Sequence, residues 1–294
     1  RAILQLEVTY TDGSREVIAT DGSWKSCTGP ILKSDFYHGE IYDARLELTG
    51  WDKPGYTDTH WKGVLEQEVD KNILIASETQ PMRITQSIRP VRKIITPRNE
   101  TVIDFGQNIT GWVSFSLKGK AGERIRLQFA ETLNKEGNFF RENLRRARAE
   151  DEYIFKGEGM ETYEPHFTFH GFRYMKIEEY NNEIRLEDFT GKVIHSDLSF
   201  NGQFSCSDTL VNQLFSNIRW SMRDNFIDIP IDCPQRDERL GWTGDAQIFC
   251  ETACWLADTW TFYSKWLKDL AVDQLPDGGV ANVVPNIEET HTEA

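Results

Sequence analysis

Apolar and polar residues alternate from the first positions of the chain. Leu4, Leu6 and Val8 are interleaved with Gln5, Glu7 and Thr9, the period of a strand with one face toward a core. Thr11-Asp12-Gly13-Ser14 then supplies turn residues, and alternation resumes from Arg15 to Thr20, so the pattern predicts a β-hairpin. Asp21-Gly22-Ser23-Trp24 and the run 37–48 carry the same turn-and-strand signals. The stretch 81–97, with Pro81, Pro90 and Pro97, is expected to be an extended connector. Residues 1–90 are expected to form a first antiparallel β-sandwich domain.

A second set of strands follows. Thr101 to Phe105, then Val113, Phe115 and Leu117, then Ile125, Leu127 and Phe129 alternate with polar neighbours, with Lys118-Gly-Lys-Ala-Gly122 between the last two runs. Tyr153 to Phe155, Phe172 to Ile177 and Val193 to His195 continue the pattern. A second β-sandwich or jelly-roll domain is expected over residues 91–198. Within it, residues 139–152, rich in Arg and Asn, are expected to form a solvated loop or short helix. After Ser207, a candidate N-cap, the period lengthens to about 3.6. Leu210, Val211, Leu214, Phe215, Ile218 and Met222 form one helical stripe, Ile248, Phe249, Thr252, Ala253 and Leu256 a second, and Phe262, Trp266, Leu267 and Leu270 a third, before Pro276-Asp-Gly-Gly279 breaks the pattern.

Composition narrows the class. At 39% apolar and 27% charged, the chain is globular, neither disordered nor collagenous. Its net charge of −14 opposes binding to a nucleic-acid backbone, and no stretch approaches the roughly 20 apolar residues of a membrane span. The opening residue, Arg1, reads as a cut N-terminus. The five cysteines, Cys27, Cys206, Cys233, Cys250 and Cys254, contain no CxxC pair, which argues against a disulfide scaffold or zinc ribbon; most are expected to be buried thiols. No metal or cofactor is expected. His166 and His170 have HxxxH spacing, but in a strand-like run four residues span about 13 Å, too far to share an ion. Gly157-Glu-Gly159 reads as a turn rather than a phosphate loop, and the sequons at Asn99 and Asn108 matter only in a glycosylating pathway.

Charge concentrates where the helices begin: residues 200–294 hold six basic and fifteen acidic residues. Between Asp228 and Asp245, five carboxylates, two arginines and a tryptophan fall within 18 residues, interrupted by Pro230, Pro234, Gly241 and Gly244. A loop held at both ends by helices can present such side chains to one cavity. Sugar chemistry needs this mixture: carboxylates for ring hydroxyls, an indole face for the ring, and a protonated acid for the leaving oxygen. Composition alone fits equally a charged loop in which Arg236 and Arg239 pair with neighbouring acids and Trp242 plugs a core.

The order of residues adds to this. Asp232-Cys-Pro-Gln-Arg-Asp-Glu-Arg-Leu-Gly-Trp-Thr-Gly-Asp-Ala-Gln247 closely resembles the signature of the bacterial α-L-rhamnosidases of glycoside hydrolase family 78. Tyr37-His-Gly-Glu-Ile-Tyr-Asp-Ala-Arg45 resembles the family's N-terminal β domain, and Phe105-Gly-Gln-Asn108, Gly111-Trp112 and His170-Gly-Phe-Arg-Tyr174 resemble the β domain before its catalytic barrel. The resemblance implies that residues 199–294 begin an (α/α)6 barrel, about three helices of twelve. It implies an inverting hydrolase releasing terminal α-L-rhamnose from plant glycosides or pectic oligosaccharides. Glu238 is implied as general acid, and Asp232, Trp242 and Asp245 as rhamnose-binding. Arg236 is implied to bind substrate or orient the acids, and Asp228 and Asp237 to support the site. Crowding by Asp232, Asp237 and Asp245 is expected to raise the pKa of Glu238.

An inverting enzyme needs a second carboxylate about 6.5–9.5 Å from the acid. The resemblance places that base beyond Ala294, with Glu288, Glu289 and Glu293 in the wrong part of the fold, so the chain reads as a fragment without activity of its own. It is also expected to associate, as a homodimer or otherwise. In the alternative reading the β domains are non-catalytic carbohydrate-binding or packing modules, with Trp24, Trp51, Trp61 and Trp112 as stacking platforms or core residues.

Overall fold

The structure is a computed structural model that describes residues 2–287. Packing divides it into two units, Arg1–Pro30 with Leu46–Ser77, and Ile31–Arg45 with Glu78–Ala294.

In the first unit, strands β1 (Gln5–Thr9) and β2 (Arg15–Ala19) pair antiparallel with Val8 opposite Glu16. Gly13 supplies the positive φ of +86° that the turn requires. The Asp12 carboxylate locks the turn by accepting from the amide and hydroxyl of Ser14, at 2.9 and 2.6 Å. A two-residue ladder joins Lys25–Ser26 to Lys62–Gly63. Among its tryptophans, Trp51 is exposed, and Trp24 donates its indole N–H to the carbonyl of Ala19 at 3.1 Å.

The second unit is built on one ten-stranded sheet. Its strands are β3 (Ile31–Asp35), β4 (Gly39–Asp43), β5 (Met82–Ile88), β6 (Arg92–Ile95), β7 (Thr101–Lys118), β8 (Arg124–Ala130), β9 (Glu150–Ile154), β10 (Met160–Tyr163), β11 (His170–Glu178) and β12 (Phe189–Ser196). The order is β3-β4-β9-β8-β11-β7-β12-β5, with β6 and β10 also paired to β7. All pairings are antiparallel except that of β4 with β9. The 18-residue β7 organises the sheet. Its first part pairs with β6 and β11 and its last part with β12 and β10, so the two runs predicted around Phe105 and Val113 form one continuous strand. Instead of two separately hydrogen-bonded sheets, a single sheet curls around Phe115, Phe129, Phe155, Phe172 and Phe189, all fully buried.

Several expectations change. The stretch 81–97 is not a connector, because Pro81 and Pro90 fall just outside β5 and Pro97 just beyond β6. There they punctuate strands without removing a ladder donor. Residues 31–45, inside the stretch 1–90, pair into the second unit's sheet through β3 and β4. Residues 139–152 are less solvated than their arginines suggest. Leu144, Ala147 and Ala149 are buried, a short 3-10 turn spans Glu142–Leu144, and β9 begins at Glu150.

Three helices follow: α1 (Thr209–Asn225), α2 (Thr243–Leu256) and α3 (Trp260–Asp273). Asp208, not Ser207, caps α1, its carboxylate accepting from the amides of Leu210 and Val211 at 2.8 and 3.4 Å. Met222, Ala253, Leu256 and Phe262 meet Leu198 and Phe226 in one cluster. The outer ends of the predicted stripes stay in water, with Leu210 79% and Ile248 84% exposed. The cysteines also depart from expectation: Cys233 is buried, while Cys27, Cys206 and Cys254 are exposed. Among the described residues no helix is long and apolar enough to cross a membrane.

Candidate active site

The acidic run falls on the loop 231–242 between α1 and α2, and the sheet holds it from one side. Asp224, buried near the end of α1, accepts the amide of Thr110 on β7 at 2.8 Å, while the Thr110 hydroxyl donates to the Asp224 carbonyl at 2.7 Å. Burial drives the Asp224 carboxyl well above the usual range. On β11, Gly171 lies so close to Pro234 and Gln235 that a Cβ would come within 2.7 Å of the Pro234 ring. The loop closes on itself: Asp232 donates its amide to the Leu240 carbonyl at 3.0 Å and accepts the Leu240 amide on its carboxylate at 2.9 Å. Its far end is pinned where Gly241 and Val284 pair; a Cβ at Gly241 would lie 2.3 Å from the Val284 carbonyl.

Four of the five predicted site residues converge. Arg236 bridges the two acids, with Nε 2.7 Å from Glu238 Oε2 and Nη2 3.3 Å from Asp232 Oδ2. Trp242 donates its indole N–H to Glu238 Oε1 at 3.1 Å. Arg236 therefore touches both acids. Asp245 does not join them. It is exposed in the first turn of α2, where a carboxylate complements the helix dipole, and among the described residues it makes no hydrogen bond or ion pair with the cluster. Of the supporting acids, Asp228 pairs with Lys265 at 3.2 Å and Asp237 with Arg146 at 3.4 Å.

Two contributors were not found by sequence reasoning. Arg145, in the bend before β9, places Nη1 3.1 Å from Glu238 Oε2 and holds a φ of +56°. Tyr37, between β3 and β4, donates its hydroxyl to the Glu238 carbonyl at 2.8 Å. They lie 93 and 201 residues from Glu238, and only the arginine-rich composition of 139–152 hinted at the first.

The expected upward shift of Glu238 is reversed. Burial pushes its carboxyl up, but the guanidinium of Arg236, seconded by Arg145, outweighs that and holds it below the ordinary glutamate range. Of the acids expected to crowd it, Asp237 faces Arg146, while Asp232 stands close and shares Arg236 with it. Cys233 is buried beside Asp232, its thiol pushed up to about 12 by burial and by that carboxylate. Donor atoms of Asp232, Cys233 and Glu238 lie within 4.8 Å of one another, yet the cationic position between the carboxylates is taken by Arg236. Elsewhere, His166 and His170 serve separate carboxylates, Glu40 at 2.9 Å and Asp151 at 3.2 Å. Glu288, Glu289 and Glu293 lie outside the described residues.

Beside the loop, a cleft of about 400 Å³ runs between the sheet and α1. Gln107, Asn108 and Glu131 line one side, Asn217 and Trp220 the other, and Asp232 and Arg236 the end nearest the acid. Burial raises the Glu131 carboxyl there.

Three family models match in succession: an α-L-rhamnosidase N-terminal domain over residues 1–86, a bacterial α-L-rhamnosidase concanavalin-like domain over 94–195, and a bacterial α-L-rhamnosidase six-hairpin glycosidase domain over 199–294. An α-L-rhamnosidase of Streptomyces avermitilis is 42% identical over 288 residues, 97% of this chain and 28% of that protein. The crystal structure of an Aspergillus terreus α-L-rhamnosidase superposes with a TM-score of 0.95 at 41% identity, covering 98% of this chain and 34% of the other. The S. avermitilis enzyme complexed with L-rhamnose superposes at 0.93 and 40% identity, over 97% and 28%. The chain thus spans about 30% of the length of the relatives it matches.

Proposed function

The chain belongs to the bacterial α-L-rhamnosidases, and from that premise we propose that it works within a longer glycoside hydrolase releasing terminal α-L-rhamnose by inverting displacement. The helices from residue 199 onward are its share of an (α/α)6 barrel. The observation that carries the reading is Glu238, held by Arg236 against Asp232 and by the Trp242 indole at the mouth of one loop. Glu238 gives its proton to the glycosidic oxygen as the bond to the anomeric carbon breaks. Asp232 and Trp242 grip the sugar ring, and Asp245 joins them when the barrel and the sugar are in place. Water attacks from the opposite face, activated by a carboxylate outside these 294 residues, so they turn over no substrate alone.

Two guanidiniums, of Arg236 and Arg145, oppose protonation of Glu238. Arg145, 55% exposed and carried on a different segment from the acid, is the one that leaves Glu238 as the sugar enters. The test is turnover of p-nitrophenyl α-L-rhamnoside by the full polypeptide, with the released anomer followed by NMR. β-L-rhamnose as first product supports inversion; α-L-rhamnose, or near-normal hydrolysis of alkyl rhamnosides by Glu238→Gln, overturns the assignment.

A further inference from the structure

We infer that Tyr37 and Arg239 are positioning residues that set where the Glu238 carboxyl stands, a reading that rests on Glu238 as the acid. The peptide between residues 238 and 239 is gripped on both sides by groups far away in sequence. On one side the Tyr37 hydroxyl donates to the Glu238 carbonyl at 2.8 Å. Tyr37 is itself fixed, because the Asp35 carboxylate accepts the amides of Tyr37 and His38 at 2.9 and 2.8 Å. On the other side Arg239, 3% exposed, donates from Nη1 to the carbonyls of Phe36 and Phe169 at 2.7 and 2.8 Å. Its guanidinium lies 5.0, 5.3 and 4.8 Å from the ring centres of Phe36, Tyr37 and Phe169.

Stability alone is a poor reason for this arrangement. The guanidinium contacts carbonyls and aromatic faces, with no ion pair to a carboxylate among the described residues. Burial pushes its pKa down to about 10, a sign of how costly the charge is there. An apolar side chain in the same aromatic cage would avoid the cost of the charge but leave those carbonyls without their donor. What it would also lack is direction, since the planar guanidinium donates from Nη1 to those two carbonyls and from Nε to the Arg236 carbonyl at 3.3 Å, a set that only one orientation satisfies. Arg239 also has a φ of +55°, a conformation that persists only where the surroundings impose it. Cage and hydroxyl together fix the backbone of the acid against β3, β4 and β11, and a shift of about 1 Å in a reacting group can cost about a hundredfold in rate.

A misplaced acid leaves a signature that general loosening does not: it slows substrates with poor leaving groups far more than activated ones. In the full polypeptide, Tyr37→Phe should lower kcat on methyl α-L-rhamnoside about tenfold, change p-nitrophenyl α-L-rhamnoside much less, and leave KM for both unchanged. Arg239→Lys should show the same split more strongly if it folds; Tyr37→Phe, which deletes one hydroxyl, keeps the test open if it does not. Placed on Glu238→Gln, Tyr37→Phe should cost nothing further, because both changes act through one group. Equal slowing of both substrates by Tyr37→Phe, no slowing of either, or an undiminished effect on top of Glu238→Gln would each overturn the inference. If Glu238→Gln shows no leaving-group dependence, the acid assignment itself fails, which is a distinguishable result.

Discussion

Glu238 shows how little a residue's charge environment follows from its neighbours in sequence. Three acids within seven positions suggested a raised pKa, but Arg236 and the distant Arg145 reverse the sign. Removing Arg145 removes one of the cations that favour the carboxylate, so in Arg145→Gln the carboxyl should titrate at higher pH. If Glu238 is the general acid proposed above, it must be protonated to work, so the high-pH limb of kcat/KM should move upward in that variant, whereas Glu238→Gln should abolish that limb; pH–rate profiles of the full polypeptide decide it. Trp242 lends itself to a complementary measurement. Its indole reaches Glu238 from the half-buried end of the loop, so Trp242→Ala should weaken rhamnose binding by about 1 kcal/mol or more with a smaller effect on stability. Calorimetry beside a melting curve would expose the opposite case, a large drop in Tm at unchanged affinity.

At the level of elements, the sheet depends on a few positions that periodicity does not mark. Gly39 turns the chain between β3 and β4 with φ +98°, and a Cβ there would sit 1.9 Å from the Glu150 carbonyl. Gly39→Ala should therefore shift the parallel β4–β9 pair and cost several kcal/mol, about the cost of an overpacked core site plus backbone strain, seen as a large fall in Tm. Asp104 on β7 is fully buried. Burial pushes its carboxyl up, but Arg173 at 2.8 Å, the Gly106 amide and Arg92 at 3.0 Å hold it below the usual aspartate range. A carboxyl depressed on folding contributes stability above its unfolded pKa of about 3.9 and loses that contribution as pH falls through the lower folded value. Asp104→Asn should cost about 2 kcal/mol at neutral pH and flatten the acid side of the stability curve, which denaturant titrations at pH 7 and pH 3 would measure.

For the whole molecule, the helical region leaves much apolar surface uncovered. Leu210, Leu214, Ile248, Trp255, Trp260 and Leu267 are exposed on α1, α2 and α3. At about 25 cal/mol per Å², a few hundred Å² of such surface amounts to several kcal/mol, a large share of a typical folding free energy. Residues 1–294 by themselves should associate at micromolar concentration despite their net charge of −14. Leu210→Lys with Ile248→Lys should reduce that association without lowering Tm. Sedimentation velocity checks both statements; a clean monomer in the unsubstituted chain would contradict them.

Local patterns were enough for the hairpin of β1 and β2, the run of strands, the three helices and the acidic loop, because alternation, helical stripes and turn residues are properties of neighbouring positions. That four side chains of the loop meet was legible too, since Asp232, Arg236, Glu238 and Trp242 are close in sequence. Strand partners were not: β4 joins β9 across more than a hundred residues and carries β3 with it, and proline spacing alone could not tell a connector from two bounded strands. Nor could the sequence place Arg145, Tyr37 and the aromatic cage around Arg239 at the acid, or keep Asp245 from it. Those contacts exist because a curled sheet brings three distant bends against one loop, and the protonation and aim of Glu238 depend on charges and donors that only this convergence supplies.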